Sequence, residues 1–264
     1  MTLLIALLFL LILSPLACAN KDAGKAAAAT SAEVTKTTPL SPQEMAARKL
    51  EGESVGFGVY SGPLKVGSGR LAYLGPSAFA KGAQPGPGAV NQAVDFTVSS
   101  FSVNDHEKIL GTEDFAAPVR VMRTIRVFGK NEDITEEYAS GARRVTISKS
   151  ADKAAPEISV IDSEKPMGNV LLLVYRLRCD PQLAVGKTYD ITLPTATFRL
   201  VVKDKRTIKV PLGRFDAFYI ESDPPKYRIW LSADNRRIPL RIQGLAGAGM
   251  AFLAAVSIDP PVSQ

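Results

Sequence analysis

A period-two alternation of apolar and polar side chains is the feature that most constrains how this chain can fold. Residues 227–231 place three apolar side chains on one face and Arg228 and Trp230 on the other. Residues 238–242 repeat the alternation, and a polar turn that contains Asp234 joins the two segments. Such a period is typical of half-buried strands, because successive side chains of a strand point to opposite faces. The stretch therefore predicts a β-hairpin.

Similar alternation recurs about every ten residues along most of the chain, which is the spacing of a meander or barrel. The candidate segments begin near residue 53 and continue to residue 256. We therefore predict one mainly β domain at residues 41–259, with at least about ten strands. Its expected form is a strongly curved antiparallel sheet or an open barrel.

Residues 167–178 break the alternation. Apolar residues there recur at the spacing of one helix face, namely Val170, Leu173, Val174 and Leu177. We predict one helix packed against the sheet, with a buried strand as the alternative. A second, short helix is predicted to start at Ser41, because Pro42 and Glu44 complete an N-terminal capping pattern.

The N-terminus reads as an export signal. Residues 3–13 are uninterruptedly apolar, which is too short for a comfortable membrane span, and small residues follow. We predict a signal peptide at residues 1–19 that ends in a lipobox-like site, so that Cys18 becomes a lipid anchor. Cleavage before Asn20, which would release an untethered exported protein, is the alternative. Residues 20–40 lack apolar periodicity and predict a disordered tether, so the domain is expected at the periplasmic face of a membrane.

Composition argues against several function classes. The net charge of +6 is scattered along the chain, so we expect no nucleic-acid partner. The single histidine, His106, lies in the polar run 104–108, which predicts a solvated turn. Motif spacings for zinc, calcium or a nucleophilic serine are missing, so no catalytic residue, metal or cofactor is predicted. Cys179 is expected to be a small buried residue, and adjacent acids such as Glu136 and Glu137 are expected on strand surfaces.

Five short motifs occur along the chain in this order: Glu51-Gly52-Glu53, Tyr175-Arg176-Leu177-Arg178, Val210-Pro211-Leu212-Gly213-Arg214-Phe215-Asp216, Trp230-Leu231-Ser232-Ala233-Asp234 and Arg237-Ile238-Pro239-Leu240. With them the chain resembles the bacterial envelope family called domain of unknown function 3108. The resemblance covers roughly residues 52–256 and is most specific at the Trp-Leu-Ser-Ala-Asp motif. It implies an exported, largely antiparallel β protein, and it carries over no enzymatic activity, cofactor or catalytic residue.

Within the hairpin we expect structural roles for Trp230, Ser232, Asp234 and Arg237. Asp234 is expected to order the turn through backbone or arginine contacts. Arg228 and Arg236 are the candidates for contact with a ligand or partner. Because Arg228 shares a face with Trp230, we also expect the two side chains to stack.

The function that this sequence favours is an exported envelope module for binding or assembly. It could be a carrier whose curved sheet holds an apolar ligand such as a lipid, or a scaffold that docks another envelope protein. The carrier version requires apolar concave surface that the helix at 167–178 does not cover. A purely structural envelope lipoprotein is the alternative, and an enzyme is the least favoured class.

Overall fold

The computed structural model describes residues 50–75, 92–101, 103–152, 154–244 and 251–260. The predicted signal peptide at 1–19, the anchor Cys18, the tether at 20–40 and the short helix beginning at Ser41 lie outside the described residues. They therefore stay predictions.

The described part of the chain is mainly β, as predicted. One α-helix, α1 (Val170–Cys179), and a 3₁₀ turn at Ser140–Ala142 interrupt a series of fourteen strands. The strands are β1 Ser54–Ser61, β2 Leu64–Tyr73, β3 Gln92–Ser100, β4 Val103–Gly111, β5 Pro118–Val127, β6 Lys130–Tyr138, β7 Arg144–Ala151, β8 Glu157–Asp162, β9 Thr188–Leu193, β10 Ala196–Val210, β11 Gly213–Asp223, β12 Tyr227–Ser232, β13 Pro239–Gly244 and β14 Ala251–Asp259.

All fourteen strands belong to one antiparallel sheet, and its centre is the pair formed by the first and last strands. Strand β1 pairs with β14 from Ser54 opposite Asp259 to Ser61 opposite Ala251. From this pair the strands β2 to β8 follow on one side in chain order, and β13 to β9 follow on the other side in reverse order. The sheet thus consists of two local meanders joined along β1 and β14, with β8 and β9 as its two edges.

The sheet curves until its edges come close, but it does not close into a barrel. The segment between β8 and α1 crosses the gap. Met167 donates its N–H to the carbonyl of Ala142 (2.8 Å), and the next residue, Gly168, donates to the carbonyl of Thr192 (2.7 Å). This arrangement confirms the predicted open barrel, and it places the start of α1 in the gap between the two edges.

Helix α1 is enclosed by the sheet. Its N-cap is Asn169, whose side chain accepts the N–H groups of Leu171 (2.8 Å) and Leu172 (3.3 Å). The helix begins at Val170 rather than 167 because Met167 and Gly168 bond to the sheet. The predicted helix is confirmed. Its buried residues lie on all sides of the helix and not only on the predicted apolar face, since of its ten residues only Arg176 is not buried. No helix of the described residues is long and apolar enough to cross a membrane.

The predicted hairpin is confirmed as β12 and β13. Its second strand starts at Pro239, one residue later than predicted, because the N–H of Ile238 bonds to the Ser232 hydroxyl inside the turn (2.7 Å). Ile229 and Leu231 point into the core, where strands of both meanders pack around α1. Trp230 lies on the outer face, and its neighbours leave it only 8% exposed.

One predicted turn is wrong. Residues 104–108 lie within β4, where His106 points outward and is exposed. The run appeared as a turn because both faces of this strand carry polar side chains. The inward-facing ones, Asp105 and Glu107, are almost fully buried.

Candidate functional site

A buried polar cluster lies near the start of α1. Strand β4 directs Asp105 and Glu107 into the interior between the apolar residues Val103 and Ile109, because alternate residues of a strand share a face. Arg123 of β5 stands directly opposite Glu107 in the strand register. Two carboxyl groups and one guanidinium are thereby brought together inside the sheet.

Arg123 and Asp105 form a two-pronged ion pair. Nε of Arg123 donates to Oδ1 of Asp105 (2.8 Å) and Nη2 donates to Oδ2 (2.6 Å). The two side chains are only 3% and 0% exposed. Burial works to lower the pKa of Arg123, but the hydrogen bonds and charge of Asp105 outweigh it and raise that pKa. The pair therefore stays charged, since paired hydrogen bonds offset the loss of solvent.

Glu107 is less well satisfied. Its Oε1 accepts a hydrogen bond from Nδ2 of Asn169 (3.2 Å), the N-cap of α1. Its Oε2 is buried without a hydrogen-bond partner among the described residues. Burial is the largest cause that raises the pKa of Glu107 to about 7; Arg123 opposes the shift, and the charges of Asp105 and Glu136 add to it. This carboxyl group therefore changes charge close to neutral pH.

A third carboxyl group, Glu136 of β6, completes the cluster. It accepts a hydrogen bond from the hydroxyl of Tyr138 (2.6 Å). Burial raises its pKa, against the opposing effects of the Tyr138 hydrogen bond and of Arg123. Three carboxyl groups thus face one guanidinium, so the cluster holds an excess of negative charge whenever Glu107 is ionised.

Glu107, Arg123 and Glu136 of this cluster line a cavity of about 90 Å³, which we call the helix-start cavity. An aromatic wall, formed by the rings of Phe198 and Tyr227 with centroids 5.1 Å apart, also lines the cavity. At the rim, the exposed residues Thr195 and Lys226 bring the cavity to the surface. Within the described ranges, no group of three or more histidine, cysteine or acidic side chains could hold a metal ion. The cavity therefore offers a carboxylate and aromatic surface to an organic group.

The other end of α1 carries a second polar cluster, and here the groups are paired. Arg178, which is 1% exposed, forms an ion pair with the equally buried Glu53. Arg236 also contacts Glu53 (3.6 Å), and Arg237 donates to the backbone carbonyl of Asp180. These contacts hold the β12–β13 turn against the C-terminal end of α1.

Asp180 holds a further part of this second cluster. Burial works to raise its pKa, but hydrogen bonds from Lys187, Tyr189 and the N–H of Gln182 outweigh it and hold that pKa below its usual range. The distances from Asp180 Oδ2 are 2.6 Å to Lys187 Nζ and 2.5 Å to the Tyr189 hydroxyl. Paired charges and satisfied acceptors of this kind stabilise a fold, so we assign this end of α1 a structural role.

The residues predicted to organise the hairpin turn lie together. Oδ1 of Asp234 accepts hydrogen bonds from the Ser232 hydroxyl (2.7 Å) and from the N–H groups of Arg236 (3.1 Å) and Arg237 (3.2 Å). Arg237 has a φ of 46°, a left-handed conformation that these bonds help to hold. Asp234 thus occupies the position of an Asx-type cap in the turn.

The expected stacking of Arg228 on Trp230 is wrong. Arg228 pairs instead with Glu221 of β11 (2.8 Å). The guanidinium over the Trp230 ring belongs to Arg241, 5.1 Å from its centroid, because the strand register places Arg241 opposite Trp230. Arg241 also lies 3.7 Å from the ring centroid of Phe252. Both predicted contact residues, Arg228 and Arg236, therefore have carboxylate partners within the molecule.

Sequence reasoning missed the helix-start cavity. Its two carboxyl groups, Glu107 and Glu136, come from β4 and β6, where the outward-facing neighbours are also polar. A usable signal was present: Val103 and Ile109 bracket Asp105 and Glu107 on one face of a strand. Arg123 sits in the same way between apolar residues of β5. A charged residue at an inward position requires a partner, so the two patterns together indicated a buried ion pair.

His106 and Cys179 do not line this cavity. Nε2 of His106 is 2.8 Å from Oδ2 of Asp95 on the outer face of the sheet. Cys179 ends α1 and is 3% exposed, as expected of a small buried residue. Neither side chain lines the cavity.

Comparison with known proteins supplies a family but no activity. A "Beta-barrel-like Protein of Domain of Unknown Function DUF1849" from Brucella abortus has 10% identity and a TM-score of 0.47, over 80% of this chain and 98% of that chain. A protein with a YmcC-like fold from Bacteroides fragilis has 9% identity and a TM-score of 0.28, over 79% and 96%. No curated protein matches the chain. The model of the family described as "Protein of unknown function (DUF3108)" matches residues 89–251, more than half of the chain, and the protein therefore belongs to that family.

Proposed function

We propose that this protein is an exported binding module of the cell envelope, and that its helix-start cavity receives a small organic group with N–H donors. One observation carries the proposal: Oε2 of Glu107 is a buried acceptor beside the cavity without a hydrogen-bond partner among the described residues. An acceptor in this state costs about 1–3 kcal/mol. A ligand that donates a hydrogen bond to it recovers this cost on binding.

A positively charged donor suits the cavity better than a neutral one. Arg123 is committed to Asp105 by two hydrogen bonds. The charges of Glu107 and Glu136 therefore remain only partly balanced. Phe198 and Tyr227 form an aromatic wall, and the faces of their rings attract organic cations. We therefore propose a primary ammonium group as the part of the ligand that enters.

The size of the cavity restricts what enters. Pockets for drug-sized ligands usually enclose about 300–1,000 Å³, whereas this one encloses about 90 Å³. The remaining interior of the described sheet is filled by α1 and by the apolar side chains packed on it. A carrier for a lipid chain would need the space that the helix occupies. The proposal is therefore recognition of a small head group, and not transport of an apolar ligand.

Export and binding without catalysis are parts of the same proposal. The apolar run at residues 3–13 and the small residues around Cys18 support export, with a lipid on Cys18 as the tether. The family resemblance supports an envelope location. The binding role is supported by the chemistry of the cavity, where the buried groups accept hydrogen bonds and no nucleophile–base pair is formed among the described residues that line it.

The test is titration of the purified protein with ethylammonium, followed by NMR and calorimetry at about pH 8, above the pKa of Glu107. We expect saturable binding that shifts the signals of β4 and of Asn169. Because a hydrogen bond to a charged group contributes about 1.5–3 kcal/mol, Glu107→Gln should weaken binding by about 10- to 100-fold. The control is Glu137→Gln, which removes an exposed carboxylate of the same strand as Glu136 and should leave affinity unchanged.

Two results would contradict this proposal. Equal affinity of the wild type and Glu107→Gln would show that the carboxylate is not the acceptor. Equal affinity for ethylammonium and for ethanol would show that charge is not recognised. Lowering the pH to about 5 provides a further check, because protonation of Glu107 should then remove most of the binding.

A second candidate function is docking of another envelope protein, and the sheet edge β8 favours it. Ile158 and Val160 are 65% and 56% exposed on this edge. Open edges with apolar side chains accept an additional strand from a partner. In vivo cross-linking from position 158 should then trap one partner, and Val160→Lys should abolish that product while thermal stability stays unchanged. A cross-link pattern that is insensitive to the substitution would remove this candidate.

A further inference from the structure

Three exposed apolar side chains lie at alternate hairpin turns, at one end of the sheet. Leu64 begins β2 directly after the β1–β2 turn, Phe101 lies in the β3–β4 turn and Phe128 in the β5–β6 turn, and they are 60%, 93% and 52% exposed. In an antiparallel meander these alternate turns all lie at the same end of the sheet. Neighbouring hairpins are two strand spacings apart, or about 10 Å. We call this set the hairpin-tip row.

The three turn segments of the row carry one sign of charge. The turn segments 61–65, 99–104 and 126–131 contain three basic residues and no acidic residue. These are Lys65, Arg126 and Lys130, and all three are exposed. None of them forms an ion pair with a carboxylate of the described residues. In the next hairpin, Asp152 accepts a hydrogen bond from the N–H of Asn131 (3.0 Å).

Phe128 is an unusual residue for its position. Its φ is 49° and that of Gly129 is 80°, so both central residues of a two-residue turn are left-handed. Asn or Asp before Gly is the usual solution for such a turn, because bulky side chains are strained in this region. A phenylalanine at this position is strained, and half of its surface stays exposed. This residue choice indicates a contact outside the molecule.

We propose that the hairpin-tip row is a membrane-docking surface that inserts Leu64, Phe101 and Phe128 into the headgroup region of an anionic bilayer. Exposed apolar tips that project from a folded domain can enter the boundary between headgroups and acyl chains, where their burial contributes to binding. The three surrounding basic residues complement the negative surface of such a membrane. This surface is separate from the helix-start cavity, so the proposal does not depend on the proposed ligand.

The test is co-sedimentation with vesicles of phosphatidylcholine, prepared with and without phosphatidylglycerol. The protein is produced by export with Cys18→Ser, so that no acyl chain contributes to binding. We expect the protein to sediment with the anionic vesicles. The variant Leu64→Ser/Phe101→Ser/Phe128→Asn should bind at least about 10-fold more weakly, because each tip contributes buried apolar area. The charge variant Lys65→Gln/Arg126→Gln/Lys130→Gln should lose on the order of 100-fold, since each base contributes about 1 kcal/mol near the surface.

Val185→Ser is the matched control. Val185 is 53% exposed but lies between α1 and β9, away from the row, so its removal should not change sedimentation. The folded state of every variant is checked by thermal unfolding, and Phe128→Asn alone should unfold at the same temperature as the wild type or higher. Brominated lipids should quench the tryptophan fluorescence of a Phe101→Trp variant more strongly than that of the wild type, whose only tryptophan is Trp230.

Three outcomes would overturn the proposal. The wild type could remain in the supernatant with every vesicle, or sediment to the same extent as the apolar-tip variant. Alternatively, gel filtration could show that the wild type is a dimer and the apolar-tip variant a monomer, with no vesicle binding by either. That result would assign the row to contact between two copies of this chain.

Discussion

Replacing Glu107 by glutamine should make the protein more stable above neutral pH. Glutamine keeps the shape of the side chain and an oxygen that can accept from Asn169, whose Nδ2 lies 3.2 Å from Oε1 of Glu107. It removes the negative charge that the buried site disfavours. The substitution therefore isolates the energetic cost of ionising a carboxyl group inside the sheet.

The expected size follows from the two pKa values. The ordinary value of 4.5 applies in the unfolded chain, and burial raises the pKa of Glu107 to about 7 in the folded protein. The folded state thus binds this proton more tightly. Its stabilising effect is complete below the unfolded pKa and is lost as the pH rises through the folded one. The difference between the two values corresponds to roughly 3 kcal/mol, at about 1.4 kcal/mol per pKa unit.

The assay is urea unfolding of the wild type and of Glu107→Gln at several pH values from about 5 to about 8. Over this pH range, the free energy of unfolding of the variant should rise by roughly 3 kcal/mol relative to that of the wild type. This corresponds to about 6 to 12 °C in thermal midpoint. Imidazole groups titrate in the same range, so both proteins carry His106→Gln, which removes the only histidine of the chain. A difference between the two proteins that stays constant with pH would refute the assignment of the raised pKa to Glu107.

Three further predictions concern the hairpin, the second polar cluster and the anchor. Asp234→Ala should lower the free energy of unfolding by about 1 kcal/mol, because three donors lose their acceptor, and Trp230→Ala should cost about 3–5 kcal/mol in the same urea assay. Arg178→Met should cost about 3–5 kcal/mol by leaving Glu53 buried with a weaker partner, whereas Arg176→Met in the same helix should cost much less. If Cys18 carries lipid, Cys18→Ser should move the protein from the detergent phase to the aqueous phase, and equal partitioning of both would exclude the anchor.

The strands and the helix could be predicted because their information is local. The alternation in 227–231 specifies which side chains face the core, and the structure buries Ile229 and Leu231 accordingly. The helix at Val170–Cys179 follows from its apolar spacing in the same way. What lies around it could not be derived, since the burial of all its residues except Arg176 depends on the strands that curve about it. The pairing of β1 with β14 is likewise non-local, and the sequence pattern of neither strand predicts which strand it pairs with.

The candidate site could not be predicted from the sequence for a related reason. Period-two reasoning recognises a strand by its apolar face, and β4 has two charged residues at the centre of that face. Asp105 and Glu107 can be buried only because Arg123 and Asn169 approach from other elements. A single strand does not contain this information. The stacking partner of Trp230 was assigned wrongly because a bulge between Trp230 and Leu231 shifts the register of the pair.

The pairing of β1 with β14 has a consequence for how the chain acquires its fold. Ser54 donates a hydrogen bond to Asp259 (2.7 Å), although the two residues are 205 positions apart. Each meander can form from near neighbours as the polypeptide is made, but the contact between them waits for the last strand, and contacts so distant in sequence form slowly. Until then β1 presents an unpaired edge that is prone to non-native association. We therefore expect a chain that ends before Ala251 to aggregate during synthesis and export. A chaperone that shields β1 should delay this aggregation.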